Sequence, residues 1–498
     1  MEADRSSQSA APAPAAVSLT PIISVALALI AGAALRVWML HKFFEVNGDS
    51  ELYGSMARNL LLHGQYALSD NSGVLHSTLI RLPGYPLFLA LCFRLFGMEN
   101  YWSASCIQIA VELGGCVLLA LFALRVSPGA YKMAAAQSTL WLAVLCPFTA
   151  IYAAEPLTEA LSLFCIALAL WSAARFQDSP GWGNALCFTF AVTYAALLRP
   201  DGALVGMALA PAIVAAIIWR KPMASEAISE LTPESRSQFF RIALVCFLLA
   251  LAPFAAWTWR NWRVFHVIQP LAPRYATDPG DPTYPGWQAW MKTWCLDFVS
   301  TYQIYWNMPG GQLDLNALPG RAFDSPEQKI VTAKLFHDYE ANGEELSPAL
   351  DARFMELAKA RIAAHPLRYY LILPVGRVAD MWLRPRVENL PIDLDWWVYK
   401  HHHLETRFNW FYVGLNALYL ALAIGGLCLR PRLWPWMLAY MLLRSALLST
   451  IEAPEARYTL ECFPMLFALG GMAIGWMVSH RSGKTRRQDG AFHKETRV

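Results

Sequence analysis

Ten separate stretches of this 498-residue chain are each apolar over about the length of a bilayer crossing. They lie at 19–40, 101–124, 133–154, 156–174, 182–199, 202–219, 240–259, 408–429, 433–450 and 459–479. A helix needs about 20 mostly apolar residues to cross the hydrocarbon core. Lipid offers no water to satisfy the backbone, so a crossing stretch must be helical. The expected fold is therefore an all-α polytopic membrane protein. Composition agrees, with 56% apolar and only 15% charged residues, against about 45–50% and about 25% in soluble domains. This excludes an ordinary cytosolic enzyme, a disordered chain, a coiled coil and a secreted disulfide scaffold. The net charge of +3 is too balanced to suggest nucleic acid as a partner. Of ten cysteines, only Cys295 lies outside an apolar stretch, and none has a CxxC or Cys/His ligand spacing. They read as packing residues, not disulfides or zinc ligands.

The first stretch reads as a retained span, because no small-residue cleavage site precedes the charged segment starting at His41. Two further apolar stretches, 83–97 and 366–383, are ambiguous. Cytoplasmic loops are rich in Lys and Arg. If neither stretch crosses and the N-terminus is inside, Arg125/Lys132, Arg175, Arg220/Lys221/Arg236/Arg241, Arg430/Arg432 and Arg481/Lys484/Arg486/Arg487 all fall inside. The expectation is about ten spans (eleven to thirteen on other counts) with both ends cytoplasmic, and two helices lying on the outer face. Two long extracytoplasmic loops result, 41–100 and 260–407. Prolines 270, 273, 279, 282 and 285 forbid a long helix at the start of the second, and helices resume near 326–341 and 349–364. Residues 1–18, rich in Ala, Pro and Ser, read as a disordered cytoplasmic tail, and 480–498 as a basic cytoplasmic one. The membrane segments form a module at 19–259 and a C-terminal set at 408–479.

The first loop carries the most information. Gly48 permits a sharp turn out of the first span, and Asp49 or Ser50 is placed to cap a helix with Leu52, Met56, Leu60 and Leu61 on one face. Asp49 then sits at the lipid headgroup level. Downstream, Arg81-Leu82-Pro83-Gly84-Tyr85-Pro86 starts a short helix, with Arg81 on its polar side, where an arginine can hold a phosphate or merely snorkel.

These motifs resemble those of bacterial GT-C glycosyltransferases of the protein O-mannosyltransferase and aminoarabinose transferase type. The resemblance rests on Asp49 with Tyr53, Ala57-Arg58-Asn59-Leu60-Leu61, His63-Gly64, the Arg81–Pro86 motif, Glu155-Pro156-Leu157-Thr158-Glu159, Leu198-Arg199-Pro200-Asp201-Gly202, Arg260-Asn261-Trp262-Arg263 and Arg457-Tyr458. Many such proteins carry a second acidic residue where Ser50 stands, which leaves the subgroup and the sugar open. The resemblance implies a GT-C-like helical bundle in a bacterial inner membrane. It also implies a polyprenyl-phosphate sugar as donor and transfer on the outer face to an acceptor such as protein, lipid A or another glycan. Tyr53, Arg81, Tyr85, Glu155, Glu159, Arg457 and Tyr458 become substrate-binding candidates.

That chemistry suits the residues. A departing phosphate ester needs cations more than a proton donor, a task for Arg81 and, by resemblance, Arg457. The attacking hydroxyl needs a carboxylate base, here Asp49. A base opposite the leaving group predicts inversion. Glu155 and Glu159 are candidates to orient the acceptor, assist Asp49 or bind a divalent cation, or else are solvated loop carboxylates. No cofactor is required, and a divalent metal is left open. Glu112 and Arg444, inside spans, either pair with each other or are structural. Arg199 and Asp201 either form a local salt bridge or line a cavity. The His401-His402-His403 run has no acidic or cysteine partner at ligand spacing and does not read as a metal site. Trp396 and Trp397 suit an interfacial belt or sugar stacking. Rival readings are a transporter or flippase of lipid-linked sugar, which would show two similar halves, a non-catalytic envelope scaffold, and an oligosaccharide ligase using a pyrophosphate donor.

Overall fold

A computed structural model describes residues 19–218, 233–393, 397 and 401–495, with side chains over 22–215, 237–393, 397 and 401–481. The expected disordered stretch 1–18, Trp396, and the side chains of Arg220, Lys221, Arg236, Lys484, Arg486 and Arg487 lie outside the described residues.

All ten apolar stretches contain helix. The chain runs α1 (Leu19–Phe43), α2 (Asp49–His63), α3 (Gly84–Phe96), α4 (Tyr101–Val126), α5 (Lys132–Val144), α6 (Pro147–Ala154), α7 (Glu159–Asp178), α8 (Trp182–Leu198), α9 (Ala203–Ile218) and α10 (Pro233–Phe265). The second loop holds α11 (Pro285–Lys292), a single turn α12 (Phe298–Ser300), α13 (Pro326–Ala341), α14 (Pro348–Ala364) and α15 (Leu373–Leu383). Helices α16 (His403–Cys428), α17 (Trp434–Leu448) and α18 (Phe463–Glu495) close the fold. Among the described residues, six helices are long and apolar enough to cross a bilayer. The α5–α6 pair, bent by 52°, makes a seventh. Helices α8, α9 and α17 are shorter, at 17, 16 and 15 residues.

One core joins α1, α4 to α9 and α16 to α18. Helix α18 packs on α5 and α16, and α4 on α5 and α7. Small residues at the crossings, such as Ala135, Ala167, Ala169, Ala173 and Ala468, are fully buried and let the helix backbones approach closely. The outer faces of α1 and α10 keep Ile22, Ile23, Leu27, Ile30, Phe240, Phe247 and Leu248 exposed. Exposed apolar faces of this extent suit lipid, not water.

Glu112 does not pair with Arg444. Arg36, fully buried on α1, donates to both carboxylate oxygens of Glu112 at 2.6 and 2.9 Å and to the Val144 carbonyl at 2.7 Å. That carbonyl lies at the break between α5 and α6, where helical bonding stops. A mid-membrane charge is tolerable only when paired, and here the pair also satisfies the orphaned carbonyl.

The two loops fold differently. In the first, a short antiparallel hairpin, β1 (Ala67–Ser69) and β2 (Leu75–Ser77), follows α2; the sequence reading contained no strand. Arg260, in the last turns of α10, donates to the carbonyls of Thr78 and Tyr66 at 2.7 and 2.6 Å, so part of the Arg-Asn motif secures this loop. The second loop has its own core around Trp287, Trp290, Trp294, Phe336, Tyr339 and Phe354. Helices α13 and α14 fall where expected. Cys295 is buried in that core, despite its polar sequence context.

Candidate functional site

The site is built where α1 gives way to α2. Gly48 has φ +51°, a conformation a side chain would strain, and the turn it makes places Asp49 as the first residue of α2. Asp49 does not cap the helix: no side chain bonds the first-turn amides. Its carboxylate turns instead to Arg81 at 2.7 Å and Arg457 at 3.5 Å. Burial pushes the Asp49 carboxyl up, but Arg81 and then Arg457 outweigh it and hold the group below its ordinary 3.8.

Arg81 is aimed by the motif that follows it. A Cβ on Gly84 would lie 2.5 Å from the Leu197 carbonyl oxygen, so only glycine lets α3 start against the end of α8. Tyr194 donates to the Gly84 carbonyl at 3.2 Å. Tyr85 and Tyr53 are both buried and meet edge to face, 5.0 Å between centroids. Burial, then the Asp49 charge, pushes the Tyr53 hydroxyl up to about 12. Tyr85 donates to Gln108 on α4 at 3.0 Å, and Gln108 donates to the carbonyls of Ala153 and Glu155. This chain of bonds ties the first loop to the end of α6.

Neither Glu155 nor Glu159 is a fully solvated loop carboxylate: Glu155 is half-buried and Glu159 buried. The Glu155 carboxylate accepts from Asn389 at 2.6 Å, and burial pushes its titration up to about 8. Glu159 is 2% exposed and pairs with Arg199 at 3.2 Å. Arg199 also reaches Asp201 and Glu461, each at 3.3 Å. Arg444 closes this group on Asp201 at 3.0 Å and on Glu461. Arg199 and Asp201 thus form the expected local salt bridge and also join a buried cluster. On the head of the last span, Arg457 pairs with Glu455 at 2.7 Å, and the Tyr458 hydroxyl donates to Glu455. Two guanidiniums approach the Tyr458 ring, Arg199 at 5.4 Å and Arg457 at 5.6 Å from its centroid.

The structure therefore gathers all eight sequence-nominated residues into one region: Asp49, Tyr53, Arg81, Tyr85, Glu155, Glu159, Arg457 and Tyr458. It adds Gln108, Asn389, Glu455 and Glu461, which sequence reasoning missed, and Arg444, which it had singled out only as an in-span charge. Glu452, Glu455 and Glu461 in ten residues at the edge of an apolar span were a usable signal, since carboxylates there are costly. Gln108 and Asn389 had none. Both Asp49 oxygens face guanidiniums, a donor set that favours anions over a metal ion at this position.

In solved structures the chain is similar to an oligosaccharyltransferase of Archaeoglobus fulgidus tethered to an acceptor peptide containing the NVT sequon. The TM-score is 0.45 at 11% identity, over 91% of this chain and 49% of that one; the chain thus spans about half the length of that enzyme. It is also similar to ArnT of Cupriavidus metallidurans, solved with undecaprenyl phosphate (TM-score 0.38, 15% identity, 92% of this chain and 78% of the other) and in the apo state (TM-score 0.34, 15% identity, 91% and 77%). No protein-family model and no curated protein matches the sequence.

Proposed function

We propose that this chain is a GT-C-type membrane glycosyltransferase. In this reading it moves a sugar from a polyprenyl-phosphate donor to an acceptor at the extracytoplasmic face of a bacterial inner membrane, with inversion. One observation carries the reading: a carboxylate, Asp49, held between Arg81 and Arg457 at the exit of the first span. The order of sequence motifs supports it.

The chemistry follows from the charges. The donor's prenyl tail stays in the bilayer, so its sugar phosphate reaches the surface where α1 ends. Its phosphate is the anion that Arg81 and Arg457 recognise, and Asp49 occupies those cations when no donor is bound. Docking the phosphate draws the guanidiniums off Asp49. Its pKa then rises toward the value burial dictates, and it becomes a stronger base. The acceptor hydroxyl attacks the anomeric carbon and passes its proton to Asp49, while the bond from that carbon to the phosphate oxygen breaks. The phosphate leaves as an anion on the arginines. Glu155, titrating near 8, is protonated at neutral pH and acts as a hydrogen-bond donor to substrate, not as the base. Two guanidiniums supply the charge, so the transfer step calls on no metal.

The test uses purified full-length protein and a panel of radiolabelled polyprenyl-phosphate sugars, scoring release of polyprenyl phosphate. Wild type should release it with one sugar, and Asp49→Asn should lose about 10²-fold or more while still inserting and eluting as a single species. Full activity in Asp49→Asn removes it as the base. Translocation of donor across vesicles without release would favour the transporter reading, and EDTA-sensitive use of a pyrophosphate donor would favour the ligase.

A further inference from the structure

His402, in the middle of the three-histidine run, has Glu405 three positions on, and the fold adds a second carboxylate, Asp393. Its Nδ1 lies 3.3 Å from Asp393 Oδ2 and 3.6 Å from Glu405 Oε2. The backbone N–H of Asp393 also donates to Glu405 Oε2 at 3.2 Å, which holds the Glu405 carboxylate beside residue 393. Among the described residues, Asp393, His402 and Glu405 are the one group whose candidate ligand atoms all lie within 4.8 Å of one another.

Those distances match a coordination edge. Zinc bonds of about 2.0–2.2 Å to imidazole nitrogen and carboxylate oxygen place tetrahedral ligand atoms about 3.3–3.6 Å apart. An ion pair alone needs a protonated His402 and one carboxylate. Two carboxylates converging on one imidazole are what a divalent cation collects, with water completing the shell. We propose that Asp393, His402 and Glu405 form a binding site for a first-row divalent cation, for which zinc is the probe. One nitrogen and two oxygens suit zinc among such metals.

None of the three residues pairs with Asp49 in the structure, and the metal test does not depend on the transfer reaction. Its place gives it a consequence. Asp393 also lines a cavity of about 430 Å³ with Phe298, Tyr302, Arg384 and Glu388. The adjoining Asn389 is the residue that holds Glu155. A bound ion would tie the cavity wall at Asp393 to the first turn of α16 and put positive charge beside the cavity.

The experiment is a metal inventory. Full-length protein, with any affinity tag removed, is stripped with EDTA, equilibrated with zinc, desalted and analysed by mass spectrometry for metal per chain. Wild type should hold about one zinc and melt at a higher temperature with zinc than without it. Asp393→Asn and His402→Ala should each fall to background while eluting as wild type does, and His401→Ala should keep the ion. Wild type at background overturns the proposal. Undiminished zinc in both His402→Ala and Asp393→Asn overturns it as well, because the ion then sits elsewhere.

Discussion

Replacing Glu155 by glutamine tests the electrostatics of the site without disturbing its shape. Glutamine is isosteric with the protonated acid, and its carbonyl can still accept the 2.6 Å bond from Asn389. The carboxyl titrates near 8, not at its ordinary 4.5, chiefly through burial. The folded state therefore holds a proton that the unfolded chain releases between these two values. Stability is full below about 4.5 and falls as pH rises toward 8. At about 1.4 kcal/mol per pKa unit, the loss reaches at most about 5 kcal/mol; solvent at this half-buried group reduces it. Thermal unfolding of wild type should thus drop across this pH window, and Glu155→Gln should show a flatter profile. Activity should follow the same proton. About 90% of Glu155 is protonated at pH 7 and about 10% at pH 9 for a titration near 8, so wild-type transfer should fall about tenfold between them. Glu155→Gln should stay within about threefold of wild type at pH 7 and lose the alkaline decline. A variant that is dead at pH 7, or one that keeps the wild-type decline, refutes the role of a neutral Glu155.

Other expected outcomes follow from the same geometry. Arg81→Gln and Arg457→Gln should raise the donor KM at least tenfold, with the larger effect for Arg81, whose contact with Asp49 is shorter; steady-state kinetics against donor concentration checks this. Arg36→Met leaves Glu112 buried without its cation, and should cost about 3–5 kcal/mol in chemical unfolding within detergent. Adding Glu112→Leu should recover most of that loss. Arg199→Gln removes the cation shared by Glu159, Asp201 and Glu461 and should lower the melting temperature more than Arg81→Gln, whose partner is more exposed.

Particular residues show how far local pattern reaches. Gly48 followed by an acid at the end of a span, and the prolines around Arg81, were enough to place Asp49 and Arg81 near one surface. Pro326 and Pro348 open α13 and α14 where the pattern placed them. Glu112 shows the limit: a buried acid demands a cation, but nothing in the sequence chooses Arg36 over Arg444. The same holds for His402, whose partner Asp393 sits nine positions away across a non-repeating segment. Helix or strand periodicity carries no information about such a pairing.

The amino-acid sequence by itself determined that this chain lives in a bilayer as helices, because about 20 apolar residues at a time leave the backbone no other way to satisfy its hydrogen bonds. It also marked which few polar residues that environment would tolerate only for a reason. Which of those charges meet was decided by tertiary structure alone. Asp49 and Arg457 stand 408 positions apart, and Glu155 finds Asn389 across 234. Contacts of that range depend on how the helices stack. Stacking is set by the sum of many small packing terms across the core, and no single stretch of sequence contains that sum.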